Sequence, residues 1–205
     1  MSDFHFYEPR RGHGLPHDPF KAIVAPRPIG WISSIDSTGR VNLAPYSFFN
    51  AFCENPPIIG FSSGGRKDSQ RNVEATGEFV ANLATMKHAQ AMNLTSAVVP
   101  PEINEFELAG LEQAPSRVVR PPRVADAPAA LECKLLQVIT LRDLTGRPTP
   151  NTLLLGQVVG VHIDKSFLVE GLFDMARART IARCGYLSDY VEVTSLFEMQ
   201  RPRSG

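Results

Sequence analysis

The sequence predicts a mainly β protein of one domain, with inserted helices, whose strands close or partly close into a barrel. Three observations lead there. Short runs rich in β-branched and aromatic residues recur between Pro- or Gly-containing breaks. The early connections are too short for a crossover helix, so the strands they join must pair antiparallel. About seven such runs with few helices between them make closure the natural way to remove exposed edges. The 205 residues suffice for one core burying roughly 70% of the unfolded surface.

The elements follow in order. Residues 1–19 are polar and rich in Pro, Gly and His, an arm placed along the surface or against a neighbour. The domain runs over 20–195, and 196–205 form a tail. "FKAIVA" (20–25), "IGWISSID" (29–36), "VNLAPYSFFNAF" (41–52) and "PIIGFSS" (57–63) read as strands, with "STGR" (37–40) as a hairpin turn. "DSQRNVEATG" (68–77) opens on a capping aspartate, Asp68, and closes on Gly77, the marks of a short helix. "EFVANLAT" (78–85) reads as a strand, "KHAQAMNLTSA" (87–97) as a helix and "NEFELAGL" (104–111) as a second short piece. The passage 114–130 carries four prolines and reads as an extended connection. "LECKLLQVITLRDL" (131–144) and "NTLLLGQVVGVHID" (151–164) are the longest strands, with a turn at 145–150. Their near-continuous apolar residues predict cover on both faces.

Composition narrows the function. Apolar residues make up 43% and charged residues 20%, the make-up of an ordinary globular domain. The 21 basic and 21 acidic residues cancel, so no overall field steers the chain onto nucleic acid or an anionic membrane. Cys53, Cys133 and Cys184 match no metal spacing and read as buried thiols in a reduced compartment. The start of the chain lacks an apolar signal core, and no run approaches the roughly 18 apolar residues of a membrane span. The expected location is cytoplasmic, and "NLT" at Asn93 is then no glycosylation signal.

Two segments carry chemistry. In "GFSSGGRKDSQRN" (60–72) a strand end runs through serines and glycines into adjacent Arg66 and Lys67 and the start of a helix. Glycine lets backbone approach an anion, and free N–H groups at a helix start carry partial positive charge. Ser62, Ser63 and Ser69 add hydroxyl donors. Gly60 and Gly65 have the spacing of a P-loop, but Arg66 stands where Lys is required and Lys67 where Ser or Thr would hold magnesium, which excludes an NTPase. Taken alone, the segment fits a solvated hairpin with a charged tip equally well.

In "NLAPYSFFNAF" (42–52) alternation puts Asn42, Ala44, Tyr46 and Phe48 on one side and Leu43, Ser47 and Phe49 on the other, until Pro45 interrupts the ladder. The interruption frees backbone groups for a planar heteroaromatic ring. An edge strand with aromatic core residues is the plainer alternative.

The series "APRPIGWISSID", "GRVNLAPYSFFNAFCENPPIIGFSSGGRKDSQRNVEATGEFVANLAT", "NEFELAGL", "PPRVADAPAALECKL" and "GQVVGVHID" resembles the flavin reductase-like family of FMN-binding split-barrel proteins over residues 20–190. The resemblance implies a six-stranded antiparallel Greek-key barrel, a homodimer, and FMN held near the subunit interface. It implies that Asn42, Ala44, Pro45, Tyr46, Ser47 and Phe48 line the isoalloxazine. It implies also that Ser62, Ser63, Arg66, Lys67, Asp68, Ser69 and Asn72 surround the ribityl phosphate. Members often have Thr where this chain has Ser69; the hydroxyl is retained. Arg27 and Trp31 are added as further contacts, Arg27 with the alternative of a structural ion pair.

Other residues are not promoted. His13 and His17 are separated by Gly14 and Pro16, which break any helix aligning them, so no metal is assigned. His162 reads as a satisfied core or surface histidine, His88 as solvated, and Cys53 as a small buried hydrophobe. Tyr186 and Tyr190 cover the pocket mouth or pack across a dimer. No catalytic side chain is assigned, because the cofactor carries the electrons while the protein positions it. The leading expectation is an FMN-dependent NAD(P)H:flavin oxidoreductase with small-molecule donor and acceptor, feeding reduced flavin to a monooxygenase. An FMN-binding electron carrier without nicotinamide activity shares every binding residue. A colourless barrel serving as an interaction module is a third reading.

Overall fold

The computed structural model describes residues 3–202. A tight hairpin sets its frame. The Asp36 carboxylate accepts from the Thr38 and Arg40 N–H groups at 2.8 and 2.9 Å, and Gly39 takes the left-handed turn at φ +90°. The reversal joins β1 (Gly30–Ile35) to β2 (Val41–Tyr46). The remaining strands of the main sheet are β3 (Phe49–Cys53), β4 (Ile58–Gly64), β5 (Glu78–Leu83), β6 (Ala129–Arg142) and β7 (Pro148–Ile163). Their order is β2-β1-β5-β6-β7-β4-β3, every pair antiparallel.

That order closes the sheet. β2 and β3 lie on opposite edges, yet only Ser47 and Phe48 separate them in the chain. The run 41–53 therefore crosses from one edge to the other, and the Phe48 carbonyl accepts from the Ser62 N–H at 2.8 Å. The sequence suggested one strand here; the structure splits it in two. Counted as one bent strand, it leaves six around a mainly β split barrel. Pro45 sits on the edge strand β2 opposite Trp31, where a missing N–H costs no ladder bond.

The barrel interior holds Ile32, Tyr46, Ile59, Phe61, Val73, Phe79, Cys133 and Leu154, each large side chain contributing about 1.5–3 kcal/mol by burial. Phe61 links Tyr46 and Phe79, with ring centroids 4.8 and 5.5 Å away. Gly156 makes room for Phe79, because a Cβ there would lie 2.4 Å from the ring. A second core lies on the other face of β1 and β2, where Trp31 and Leu43 meet Met92, Phe106 and Val124. The helices α2 (Ala89–Leu94) and α3 (Glu105–Leu108) carry Met92 and Phe106 into it.

The Pro-rich connection is not the extended run expected: Gln113–Ala114 pairs antiparallel with Arg123–Val124, residues 117–121 bend between them, and one buried carboxylate fixes the bend. Glu132 on β6 is fully buried. It accepts from the N–H groups of Arg117, Val118 and Val119 at 2.7, 2.6 and 2.9 Å and pairs with the His162 ring. Burial alone would raise its pKa, but the Arg117 N–H, His162 and the other two N–H groups outweigh it and bring the group to about 2. His162 is thus a satisfied histidine.

Several expectations are corrected. Residues 20–25 are not a strand: Phe20–Ile23 is a single helical turn, because Asp18 accepts from the Phe20 N–H at 2.9 Å and Pro19 precedes it. His88 is buried, not solvated, held by Thr85 at 3.0 Å and Asp126 at 2.9 Å. Cys53, on the edge strand β3, is exposed and not a buried hydrophobe; of the other thiols, Cys133 is buried and Cys184 half-buried. The turn between the long strands is tighter than 145–150, closed by Asp143 accepting from the Thr145 and Arg147 N–H groups. The far half of the β6–β7 hairpin is not covered on both faces: Leu136, Val138, Ile139 and Leu141 are exposed. No helix among the described residues is long and apolar enough to cross a membrane.

Candidate functional site

The two chemistry-bearing segments meet at the start of α1 (Asp68–Thr76). β4 ends at Gly64, and Gly65 turns the chain at φ +78° with nothing near its would-be Cβ. Lys67 is then extended, at φ −79° and ψ 172°, and occupies the cap position; no side chain caps the helix. Asp68 is therefore not the expected cap. It is the first helical residue, and its carboxylate pairs with Arg71 one turn on. The first N–H groups of a helix have no partner inside it, so without a cap the donors of Asp68, Ser69 and Gln70 remain for a ligand. At the other end Gly77 is left-handed at φ +72° and its N–H reaches the Val73 carbonyl at 2.9 Å.

Beside this helix start runs a cleft of about 310 Å³. Asn42, Ala44, Pro45 and Tyr46 of β2 form one wall and Lys67, Asp68, Ser69 and Arg71 the other, with residues 95–99 across the top. A second cleft of about 380 Å³ adjoins it and shares Asn42, Asp68, Arg71 and Glu105. Asn72 lines that second cleft. The Asn42 amide donates to Ser69 Oγ at 2.9 Å, which ties the two motifs to each other directly.

The charges are unevenly committed. Arg66 pairs with Glu74 at 2.8 Å, as a solvated tip would allow. Arg71 pairs with Asp68 and donates to the Arg66 carbonyl at 2.9 Å. Among the described residues Lys67 makes no ion pair, which leaves its ammonium available. Glu105 on α3 is buried and accepts from the Leu43 N–H at 3.1 Å. Its burial raises its pKa, against the pull of that N–H. Tyr46 is 7% exposed; burial raises its pKa, against the pull of the Ser69 and Ser63 hydroxyls that lie beside its own.

The remaining sequence candidates lie around or apart from this cleft. Ser63 is fully buried and donates to the Gly65 carbonyl at 2.8 Å, holding the glycine turn. Ser62 Oγ accepts from Asn151 at 3.3 Å. Ser47 is half-buried and Phe48 exposed in the crossing between β2 and β3. Arg27 takes no part in the cleft: it is buried and donates to the carbonyls of Lys21 and Val24, with no ion pair. Trp31 is fully buried and reaches the cleft only through Thr95, whose hydroxyl accepts from Nε1 at 2.9 Å. Tyr186 and Tyr190 line other clefts.

Sequence reading missed three contributors. Arg71 was hidden inside the recognised run, although its position three after Asp68 marks a helical ion pair. The 95–99 segment and Glu105 carry no local signal, since only tertiary packing turns them inward. Chemically the arrangement offers backbone N–H groups, an ammonium and hydroxyls for an anion, next to a slot bounded by the edge strand β2. That donor set fits a phosphate ester attached to a flat ring system.

Fold and site together define a split-barrel protein with an uncapped helix start and a cleft beside the strand that closes the barrel. Residues 24–181 match the model of the flavin reductase like domain. A relative from Halalkalibacterium halodurans is 35% identical over 184 residues, covering 87% of each chain. Among solved structures, nitrilotriacetate monooxygenase component B from Bacillus cereus is 32% identical with a TM-score of 0.80, over 88% of this chain and 91% of that one. The 2-nitrobenzoate 2-nitroreductase of Pseudomonas fluorescens is 29% identical with a TM-score of 0.77, over 89% and 88%. The chain belongs to the flavin reductase-like family.

Proposed function

We propose that this protein binds FMN in the cleft between β2 and α1 and uses it as an NAD(P)H-dependent flavin reductase. The observation that carries the reading is the convergence of an uncapped helix start and an uncommitted Lys67 with the Pro45-bearing edge on one cleft. Lys67 and the N–H groups of Asp68, Ser69 and Gln70 would hold the phosphate, with Ser69 donating from its hydroxyl. Backbone groups of 44–46 would bind the ring edge. When bound, FMN supplies two-electron chemistry, accepting hydride from a reduced nicotinamide and passing electrons on. The chain's own part is to orient and to shield, so no side chain is assigned as acid or base.

The likeness to a monooxygenase component B supports a small-molecule or monooxygenase acceptor downstream. The exposed apolar residues Leu136, Val138, Ile139 and Leu141 support a homodimer covering the far end of the β6–β7 hairpin. Sedimentation of the purified protein tests that point, with a dimer expected and a monomer contradicting it.

The function is tested by loading the protein with FMN and titrating it anaerobically with NADH and with NADPH. Bleaching of the flavin absorbance by at least one is expected. A yellow protein that dithionite bleaches and neither nicotinamide reduces would make it an electron carrier. Protein that takes up no FMN would end the reading altogether.

A further inference from the structure

Beneath the cleft lies a chain of buried polar side chains that joins three elements. Ser34 on β1 is fully buried, Ser69 on α1 nearly so, and Asn42 and Asn72 are more than nine-tenths buried. Ser34 stands directly across the ladder from Asn42, and Asn72 lies one helical turn beyond Ser69. The Asn42 amide donates to Ser69 Oγ at 2.9 Å and to Ser34 Oγ at 3.3 Å. The Asn72 amide donates to the same Ser34 oxygen at 3.2 Å.

Counting protons gives the direction of each bond. An amide NH₂ has two protons, and those of Asn42 go one to each serine. Ser34 accepts from both asparagines, which fills its acceptor capacity and stops either amide from turning. Ser69 Oγ receives a proton from Asn42, so its own proton is left for an acceptor in the cleft that Ser69 lines, with the adjacent Tyr46 hydroxyl as the competing acceptor when the cleft is empty. A serine in the first turn of a helix otherwise bonds readily to nearby backbone; here that freedom is removed from behind.

We propose that Ser34 and Asn42 are positioning residues that fix Ser69 as a hydroxyl donor toward the phosphate of the bound ligand. Ser34 itself touches no ligand; it acts through Asn42. The inference rests on the FMN reading above. Its consequence is selective: the arrangement favours a phosphorylated flavin over the same ring without phosphate.

The test measures dissociation constants of FMN and riboflavin for the wild-type protein, Ser34→Ala, Ser69→Ala and the double variant, with thermal melting to confirm folding. Ser34→Ala is expected to weaken FMN about five- to tenfold, the loss of one neutral hydrogen bond, while riboflavin changes less than about twofold. In the Ser69→Ala background the Ser34 effect should vanish, since the group being aimed is gone. Equal losses for both ligands, or a Ser34 effect that persists without Ser69, would overturn the inference and leave FMN binding intact. If wild-type protein binds FMN no more tightly than riboflavin, the phosphate reading itself falls, and the inference with it. Should Ser34→Ala fail to fold, Ser34→Cys keeps a similar size but offers only a weak acceptor to the two asparagines, and is expected to show the same FMN-selective loss and the same coupling.

Discussion

Replacing Lys67 with alanine separates an anion corner from a charged surface tip. Three cations stand at the start of α1, but Arg66 is paired with Glu74 and Arg71 with Asp68. Only Lys67 brings an uncommitted charge. A charge-assisted hydrogen bond contributes about 1.5–3 kcal/mol, and exposed charges fall at the low end through solvent screening. Taking about 1.5 kcal/mol, Lys67→Ala should raise the FMN dissociation constant roughly 12-fold. Arg66→Ala should raise it less than about threefold, because its carboxylate partner already screens it. Riboflavin, without the phosphate, should respond to neither. Quenching of flavin fluorescence at low ionic strength measures all of these. Equal weakening of FMN and riboflavin by Lys67→Ala, or an Arg66 effect as large as that of Lys67, would refute the reasoning.

Other outcomes follow from the same contacts. Glu132→Ala leaves three buried backbone N–H groups without their acceptor and should destabilise the fold by about 3–5 kcal/mol in a denaturant titration. Because the folded pKa of Glu132 is depressed from 4.5 to about 2, its contribution is present above pH 4.5 and should fade as pH falls toward 2, visible as a falling melting temperature that Glu132→Gln flattens. Gly156→Ala sets a methyl 2.4 Å from the buried Phe79 ring and should cost about 1–3 kcal/mol in stability. Trp31→Phe removes the donor to Thr95 and loosens the segment over the cleft; FMN should bind about fivefold more weakly, the loss of one hydrogen bond, as read by the same fluorescence titration.

Local signals were legible wherever one turn of chain decides its own conformation. The hairpin at Asp36 and Gly39, the stop of α1 at Gly77 and the strand character of 29–36 and 78–85 all rest on short-range chemistry. The glycine turn into a helix start at 64–68 was legible too, because glycines and adjacent polar residues lie within one run. Long-range facts were not. That 41–52 serves both edges of the sheet depends on barrel closure, which no local sequence window records. The cap at Lys67 in place of Asp68 is a matter of one residue of register. Glu105 and His88 look like surface groups until Leu43 of β2 and Asp126 are packed against them. Arg27 belonged to a recognised motif, yet its guanidinium serves the turn at Phe20–Ile23 and not the cleft.

A crystal structure of the protein with FMN addresses the account at its centre. The phosphate is expected within hydrogen-bonding distance of Lys67 Nζ and the N–H groups of Asp68, Ser69 and Gln70, with the ring against residues 44–46. A phosphate bound anywhere else, with that helix start in contact only with water, would contradict it.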